Sequence, residues 1–471
     1  MTRSGRSVPS GRRRRLPAAG RVLAASAVTA VVATWLGAGA LAAPILTLAP
    51  GDELPTLTAG ARVILAPGTY RGPWTVEAEG VVIEGAGATL LGGAAGSTLV
   101  LAAPGIRVSG LTVAGAGPEE DLYAPDAGLW LVGCHDCRVA GVSVTGAPTG
   151  LRVEDSDGVI VSGARLDGGS GAPGLTVFAS ARFRLEDSTV RGFLDGIYLE
   201  GADDAAVVGS EFVTAARYAL HSMYSANTTL AGNVVRGGAV GSAAMYGRGL
   251  RATGNTFEGH VGPLSFGLLA LEVKDAVVAG NTFAGNTIGA LVVSAPDVTL
   301  ERNLFTDGGF GVLVQRSRFG GTSAVRLHDN VFTGNVSDVA VDDDDASVEL
   351  IGNAFEGAPR LDRDGDGVVD VPHVPSSSYA MLASRQPDLS LYALSPGVVL
   401  WESIEATVPA VRLMTLADPT PRTYPSWSGG PRPPGSTAHP AGSVAGVLGA
   451  ATLVAAGLLL ARPRGLPAAP A

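Results

Sequence analysis

The chain has 471 residues, of which 66 are Gly, with a charged fraction of 16% and a formal net charge of −10. This composition is unusual for a helical enzyme and favours an all-β protein with many tight turns. The acidic residues all lie between the Arg-rich ends, so the central part of the chain is more negative still. This argues against a nucleic-acid partner.

The N-terminus has the pattern of an export signal. Six Arg within the first 15 residues precede the uncharged stretch VLAASAVTAVVATWLGAGALA, which ends at Ala42. Small residues before Ala43 suit cleavage, so residues 1–43 are predicted to be a signal peptide. The stretch is also long enough to be an uncleaved anchor.

The only two cysteines, Cys134 and Cys137, lie in the motif CHDC. Outside the cytoplasm they are expected to form a local disulfide or to remain as two free thiols. As a metal motif the pair is weak, because only His135 is adjacent to it.

Residues 44–360 contain an internal repeat. The segments GSEF, GNVV, GNTF, GNTF, RNLF, DNVF and GNAF recur between positions 209 and 355 at intervals of 22 to 27 residues. A period of about 22 residues with about three short strand-like runs predicts a parallel β-helix of about ten coils. Each Asn is expected to adopt left-handed geometry and bond to the Asn of the next coil, while the following Phe or Val stacks inside.

Strand alternation predicts which side chains of the repeat face outward. In GIYLEG, residues 196–201, Ile197 and Leu199 are the natural inward residues. The repeat then places His221 and Met223 on the outer face, and Met245 follows Met223 by one coil. Imidazole and thioether groups together suit Cu(I). The alternative is that the methionines pack beneath a loop or against a partner protein.

Aromatic and apolar residues flank this patch. Tyr224 and Tyr246 directly follow the two methionines, and Leu269 and Leu271 continue the outward set. An exposed apolar stripe of this kind predicts a surface for docking a partner.

An Asp-rich motif follows the repeat at residues 361–375. Asp362, Asp364, Asp366 and Asp370 have the spacing of the first part of a calcium-binding loop. His373 stands where an EF-hand needs Glu, so the sequence predicts either a looser Ca²⁺ loop or an acidic turn that closes the β-helix. The run 342–345 is expected to be a solvated acidic turn.

The C-terminal part comprises a segment at 376–427, a Pro/Gly/Ser-rich linker at 428–440 and an uncharged stretch at 441–461. That stretch is long enough for a single transmembrane helix. Arg462 and Arg464 follow it, which predicts a cytoplasmic tail at 462–471 and an extracytoplasmic, membrane-anchored body. The alternative is a buried core helix.

The sequence resembles the NosD family of nitrous oxide reductase maturation proteins. The resemblance covers most of residues 60–427 and depends on the order and spacing of several segments: LAPGTYRGPW (65–74), IRVSGLTVAGAG (106–117), DGIYLEGA (195–202), RYALHSMYS (217–225), VGSAAMYG (240–247), VGPLSFGLLALEV (261–273), LDRDGDGVVDVPHVP (361–375) and SPGVVLWESIEATVPAV (395–411).

The resemblance implies an all-β, right-handed parallel β-helix outside the cytoplasm. It implies docking on the permease of an ABC transporter, with a separate ATPase providing energy, and copper delivery to nitrous oxide reductase with a copper chaperone as a further partner. It implies no catalytic activity of the chain itself. The alternatives are a carbohydrate-active β-helix, such as a lyase or epimerase, and a surface-binding protein. Sugar chemistry is disfavoured because Lys274 is the only lysine.

Overall fold

A computed structural model describes residues 44–169, 171–263, 265–386, 389, 392, 395–408 and 416–423. The predicted signal peptide (1–43), linker (428–440), transmembrane helix (441–461) and tail (462–471) lie outside these residues. Among the residues that the structure does describe, no helix has both the length and the apolar character needed to cross a membrane.

Three parallel sheets run along the molecule, and each coil contributes one short strand to each sheet. Sheet A has 14 strands in the described part of the chain: β1 (Ile45–Leu48), β2 (Arg62–Leu65), β5 (Val82–Glu84), β8 (Arg107–Ser109), β11 (Arg138–Ala140), β14 (Ile160–Ser162), β17 (Arg184–Glu186), β20 (Ala206–Val208), β23 (Thr229–Ala231), β26 (Arg251–Thr253), β29 (Ala276–Ala279), β32 (Val298–Glu301), β35 (Ala324–His328) and β38 (Ser347–Ile351).

Sheet B has 13 described strands: β3 (Gly68–Arg71), β6 (Ala88–Leu91), β9 (Thr112–Ala114), β12 (Ser143–Thr145), β15 (Arg165–Asp167), β18 (Thr189–Arg191), β21 (Glu211–Val213), β24 (Val234–Arg236), β27 (Thr256–Glu258), β30 (Thr282–Ala284), β33 (Leu304–Thr306), β36 (Val331–Thr333) and β39 (Ala354–Phe355).

Sheet C has 12 described strands: β4 (Trp74–Val76), β7 (Leu99–Leu101), β10 (Ala127–Val132), β13 (Thr149–Glu154), β16 (Leu175–Phe178), β19 (Asp195–Glu200), β22 (Tyr218–Met223), β25 (Val240–Met245), β28 (Phe266–Leu271), β31 (Ile288–Val293), β34 (Phe310–Gln315) and β37 (Ser337–Asp342).

The architecture is therefore a parallel β-helix of the right-handed type. The predicted class is confirmed, but the prediction of ten coils is too low, because the structure has about thirteen turns. The missed coils lie before residue 209, where Ser188, Ala164, Val142 and Leu111 take the place of the asparagine. Strands begin at Ile45 and end at Phe355, within the predicted range of 44–360.

A ladder of buried asparagines connects successive coils. The Oδ1 atom of Asn255 accepts hydrogen bonds from the backbone N–H of Asn233 at 2.9 Å and from its side-chain amide at 3.0 Å. Asn281 does the same for Asn255, and the pattern continues through Asn303, Asn330 and Asn353. Each rung thus satisfies polar groups that would otherwise be buried without partners.

The predicted left-handed geometry of these asparagines is wrong. The residue before each Asn has the positive φ: Gly232, Gly254, Gly280, Arg302, Asp329 and Gly352. A left-handed residue at this point turns the chain, which leaves the Asn side chain pointing inward toward the next rung.

Five phenylalanines form the predicted inner stack. Phe257, Phe283, Phe305, Phe332 and Phe355 are buried, with ring centroids of neighbouring coils 4.8 to 5.2 Å apart. Gly residues at the start of the sheet C strands make room for them: a Cβ on Gly289 would lie 2.7 Å from a ring carbon of Phe305.

A second, shorter ladder includes one histidine. The Oδ1 atom of Asn335 accepts from the N–H of Gly308 at 3.1 Å, and that of Asn286 accepts from the N–H of His260 at 3.0 Å. His260 occupies the ladder position one coil before Asn286 and is completely buried. Burial lowers its pKa to about 4, although the carbonyl groups of Gly238, Val235 and Gly237 partly oppose this.

The C-terminal segment caps the last coil. The carboxylate of Asp418 accepts from the backbone N–H of Asn353 at 2.8 Å and from its side-chain amide at 2.9 Å, so it replaces the next rung of the asparagine ladder. The ring of His373 packs on Phe355, the last ring of the inner stack, with centroids 4.7 Å apart. A β-helix needs such a cap because its last coil has no neighbour.

Two short helices lie between the two capping residues, His373 and Asp418, in the chain. Helix α1 (Ser378–Arg385) starts at Ser377, whose side chain accepts from Ala380 N, and α2 (Pro396–Thr407) starts at Ser395. At the end of α1, Arg385 forms ion pairs with Asp342 at 2.6 Å and Asp344 at 2.9 Å. Part of the acidic run at 342–345 therefore holds α1 against the β-helix.

Candidate functional site

The candidate site lies on the outer face of sheet C. At the start of these strands, successive side chains do not alternate between the inner and the outer face. A Cβ on Gly196 would point at Phe212 in the core, and Ile197 is also in the core. Because two consecutive residues face inward, Asp195 on one side of them and Tyr198 on the other both reach the outer face. The next strand repeats this arrangement with Tyr218 and His221, which are paired in register with Asp195 and Tyr198.

His221 is on the outer face, as predicted, but it is covered. Its side chain is only 5% exposed. The rings of Tyr198 and Tyr218 lie against it, with centroids 4.8 and 4.4 Å from that of the imidazole. The outward orientation predicted for His221 therefore does not expose it to solvent, because these two neighbouring tyrosines enclose it.

Asp195 holds His221 in place. Its Oδ2 atom lies 2.9 Å from Nδ1 of His221 and accepts a hydrogen bond from Arg217 at 2.6 Å. Its Oδ1 atom accepts from the Nε of Arg217 at 2.8 Å and from the N–H of Tyr218 at 3.3 Å. The guanidinium of Arg217 also lies over the ring of Tyr218.

The electrostatics of Asp195 set the tautomer of its neighbour. Complete burial would raise the pKa of Asp195, but the hydrogen bonds from His221 and Arg217 outweigh burial and hold that pKa below its usual range. An ionised carboxylate can only accept, so Nδ1 of His221 must donate to it. In the neutral imidazole the lone pair is then on Nε2, which is buried and has no hydrogen-bond partner among the described residues.

The two methionines lie on sheet C two residues further along the strands than His221 and its register partner. Met223 is two residues after His221 on β22, and Met223 pairs in register with Met245 on β25, as the spacing predicted. Both side chains are half-buried. The hydroxyl of Tyr198 donates to Glu200 at 2.7 Å and lies 3.4 Å from the sulfur of Met223.

Sequence reasoning found only part of this cluster. It identified His221, Met223 and Met245 but assigned no role to Asp195 or Tyr198. The signal available for Asp195 was its repeat spacing to Tyr218, since the two residues begin adjacent strands of sheet C.

The predicted docking residues divide into two pairs. Tyr224 and Tyr246 are 58% and 36% exposed. Leu269 is buried and Leu271 partly buried within an apolar cluster on the outer face of sheet C, together with Val240, Phe266 and Leu291. The expectation that Leu269 is open to a partner is therefore wrong, because its neighbours on the face cover it.

Cys134 and Cys137 form a disulfide with their Cα atoms 5.6 Å apart, and both are fully buried. No thiol of this pair is left to bind metal. His135 lies between them in sequence but is exposed, and its Nδ1 accepts a hydrogen bond from the N–H of Asp157.

The Asp-rich segment brings three of its four carboxylates together. Ligand atoms of Asp362, Asp364 and Asp366 lie within 4.8 Å of one another. The carboxylate of Asp370 instead accepts from the N–H of Arg363 at 2.8 Å. The segment lies next to the C-terminal cap, where Val368 pairs with Arg422.

Fold and site together define a class: parallel β-helix proteins that carry imidazole and thioether groups on the outer face of one sheet. Comparison with known proteins narrows this class. The family described as "Periplasmic copper-binding protein (NosD)" matches residues 172–354, which include the whole candidate site. The chain is similar to the NosD family over these residues.

Two curated relatives are similar over most of their length, and both are named "Probable ABC transporter binding protein NosD". The protein of Stutzerimonas stutzeri is 26% identical over 76% of this chain and 85% of its own. That of Pseudomonas aeruginosa is 27% identical over 82% of this chain and 96% of its own.

The solved structures to which the chain is similar are more distant in sequence. The A-module of the Azotobacter vinelandii mannuronan C-5 epimerase AlgE4 is 14% identical, with a TM-score of 0.39 over 64% of this chain and 89% of that one. PfbA, a surface adhesin of Streptococcus pneumoniae, is 12% identical, with a TM-score of 0.42 over 66% and 89% of the two chains.

Proposed function

We propose that this protein is an extracytoplasmic accessory protein that holds Cu(I) transiently on the outer face of sheet C and passes it to a client metalloenzyme. The observation that carries the proposal is the imidazole of His221. Its Nδ1 is held by the buried Asp195, its Nε2 has no hydrogen-bond partner among the described residues, and the paired methionines Met223 and Met245 follow two residues further along the same sheet. A carboxylate that orients the far nitrogen is the usual support of a metal-binding histidine.

The donor set suits copper as a cargo. One imidazole nitrogen and two thioether sulfurs are neutral, soft ligands that favour Cu(I) over the harder divalent ions. Neutral ligands bring no charge to neutralise the ion, so binding is expected to be reversible. Half-buried sulfurs with a buried nitrogen would also keep part of the coordination sphere open to a receiving protein.

The partners in this proposal follow the family. The two curated relatives are named as ABC transporter binding proteins, which supports docking of this chain on a transporter permease with its separate ATPase. The client would be nitrous oxide reductase, and a copper chaperone would load the site. Tyr224 and Tyr246 are the exposed residues nearest to the methionines and would form part of the docking surface. The chain itself would catalyse no reaction.

Removing the sulfurs without changing the shape of the site tests the proposal. In the Met223→Leu/Met245→Leu variant we expect the affinity for Cu(I) to fall by at least about 100-fold, because leucine has no donor atom. The substitution should be tolerated, since Leu271 already occupies the same position one coil later. The measurement is competition of the full-length protein with a chromogenic Cu(I) chelator under anaerobic, reducing conditions.

A matched control removes the same atom types elsewhere. His328→Ala/Met381→Ala eliminates one imidazole and one thioether far along the chain and should leave the affinity unchanged. If the control loses as much affinity as the sulfur variant, or if the wild-type protein does not bind Cu(I), the copper site is wrong.

A carbohydrate-active function has weaker support. Tyr198, His221 and Asp195 are residue types that serve in acid–base catalysis on sugars. However, Tyr198 is 3% exposed and His221 5%, so a polysaccharide chain could not reach them in this conformation.

Calcium binding remains a separate prediction. Asp362, Asp364 and Asp366 could supply oxygen ligands near the C-terminal cap. We expect Ca²⁺ to raise the melting temperature of the protein and Asp364→Asn to abolish that rise. An equal rise in the variant would leave these residues as an acidic turn only.

A further inference from the structure

Two tyrosines are stacked on the surface of neighbouring coils. Tyr224 and Tyr246 have ring centroids 5.4 Å apart and an angle of 17° between the ring planes. Both are exposed to solvent. Neither the proposed copper site nor the packing of the core requires this stacking.

The backbone fixes the separation of the pair. Both residues follow a sheet C strand in the left-handed conformation, with φ of +50° and +57°, a region that residues other than Gly seldom adopt. The N–H of Tyr224 donates to the carbonyl of Met245 at 3.1 Å, and that of Tyr246 donates to Leu271 at 2.9 Å. The two turns have the same backbone conformation and lie one coil apart. The two side chains therefore leave the backbone in the same direction.

We propose that Tyr224 and Tyr246 are an oxidative modification site, at which a peroxide converts the pair into an intramolecular dityrosine. This goes beyond the proposed copper role and does not depend on it.

The chemistry balances with peroxide as the oxidant. Each phenol loses one electron and its hydroxyl proton to give a phenoxyl radical. The two radicals join through one new carbon–carbon bond between ring positions beside the oxygens, and the two displaced ring protons restore the hydroxyls. In total, two tyrosines and one H₂O₂ give one dityrosine and two H₂O.

Geometry favours this coupling over competing ones. The rings are nearly parallel with centroids 5.4 Å apart, and exposure lets them turn about their side-chain bonds to meet. The product would covalently join the coils that carry Met223 and Met245.

Other exposed tyrosines provide comparators. Tyr123 is as exposed as Tyr224, but its ring packs at 40° against Phe178, which cannot form dityrosine. In the described part of the chain, no other pair of tyrosines is stacked in parallel.

The test treats dilute full-length protein with H₂O₂ and a peroxidase, with free N-acetyltyrosine as a check on the oxidant. We expect dityrosine fluorescence, loss of two hydrogen masses per chain and a tryptic cross-link between peptides 218–236 and 237–248. Tyr224→Phe and Tyr246→Phe should each reduce this cross-link to background, whereas Tyr123→Phe and Tyr218→Phe should leave its yield unchanged.

Two results would overturn the proposal. One is a cross-link between the same peptides that persists in Tyr224→Phe, which would assign it to Tyr218. The other is a wild-type protein that forms only intermolecular dimers, or no dityrosine, while the free tyrosine analogue is oxidised.

Discussion

His260→Asn and Asp338→Asn should change the pH dependence of stability in opposite directions. His260 is completely buried and Asp338 is half-buried, and burial shifts the pKa of each toward the neutral form. Between pH 7.5 and 4.5 we expect the free energy of unfolding to rise by roughly 2 kcal/mol in the histidine variant and to fall by a similar amount in the aspartate variant.

The low pKa of His260 determines how its contribution to stability depends on pH. The native pKa is about 4, below the ordinary value of 6.5. Between these two values the unfolded chain binds a proton that the native protein does not bind. The stability that the neutral histidine contributes is therefore complete above pH 6.5 and is lost as the pH falls toward 4.

Asp338 has the opposite sign. Burial raises its pKa from 3.8 to about 6, although a hydrogen bond from Asn335 partly opposes this and Glu356 adds to it. Between these values the native protein binds the extra proton, so this group destabilises the fold as the pH rises toward 6. In the wild-type protein the pH effects of His260 and Asp338 on stability largely cancel. Replacing one of the two residues leaves the pH effect of the other visible.

Chemical denaturation of both variants and the wild type at pH 4.5 and 7.5 measures these changes. Asn is the matched substitution at position 260 because Asn286 occupies the same ladder position one coil later. Parallel pH profiles for all three proteins would show that neither group titrates as the structure indicates.

The sequence contained enough information to predict the repeat and its register. The coils of a β-helix have nearly constant length. An interval of 22 residues between Met223 and Met245 therefore predicts that they are neighbours on adjacent coils, as the structure shows. The asparagine rungs and the phenylalanine stack were predictable for the same reason. Coils before residue 209 lack this signal, since Ser188, Ala164, Val142 and Leu111 replace Asn there.

The surroundings of His221 were not predictable from alternation alone. A strict period of two puts Asp195 on the same side as Ile197, which is inside. The structure puts Asp195 outside because Gly196 and Ile197 both face the core, and Gly196 has no side chain to show which way it points. The same break places Tyr218 over His221, so both the carboxylate partner and the burial of the imidazole were missed.

Asp195→Asn should weaken Cu(I) binding by about 10- to 100-fold, the usual effect of losing the partner of a metal-binding histidine. In the wild-type protein all four contacts to Asp195 are donors: His221, Arg217 twice and the N–H of Tyr218. An asparagine must present its amide NH₂ to one side of this arrangement. If it faces His221, Nδ1 must accept, and the proton moves to Nε2 and blocks the ligand.

Two measurements on the same variant separate positioning from ligation. Long-range ¹H–¹⁵N NMR reports the tautomer of His221 without copper, and chelator competition reports the affinity. Asp203→Asn is the control, because Asp203 accepts only the N–H of Ala226 at the corner of a neighbouring coil and should change neither reading.

The combination of results decides between the roles. A shifted tautomer with reduced affinity means that Asp195 acts by keeping Nε2 free for the metal. A shifted tautomer with unchanged affinity would remove His221 from the ligand set and leave copper to the sulfurs of Met223 and Met245. If the tautomer does not shift, Asp195 does not set it, and the ion pair with Arg217 serves the fold alone.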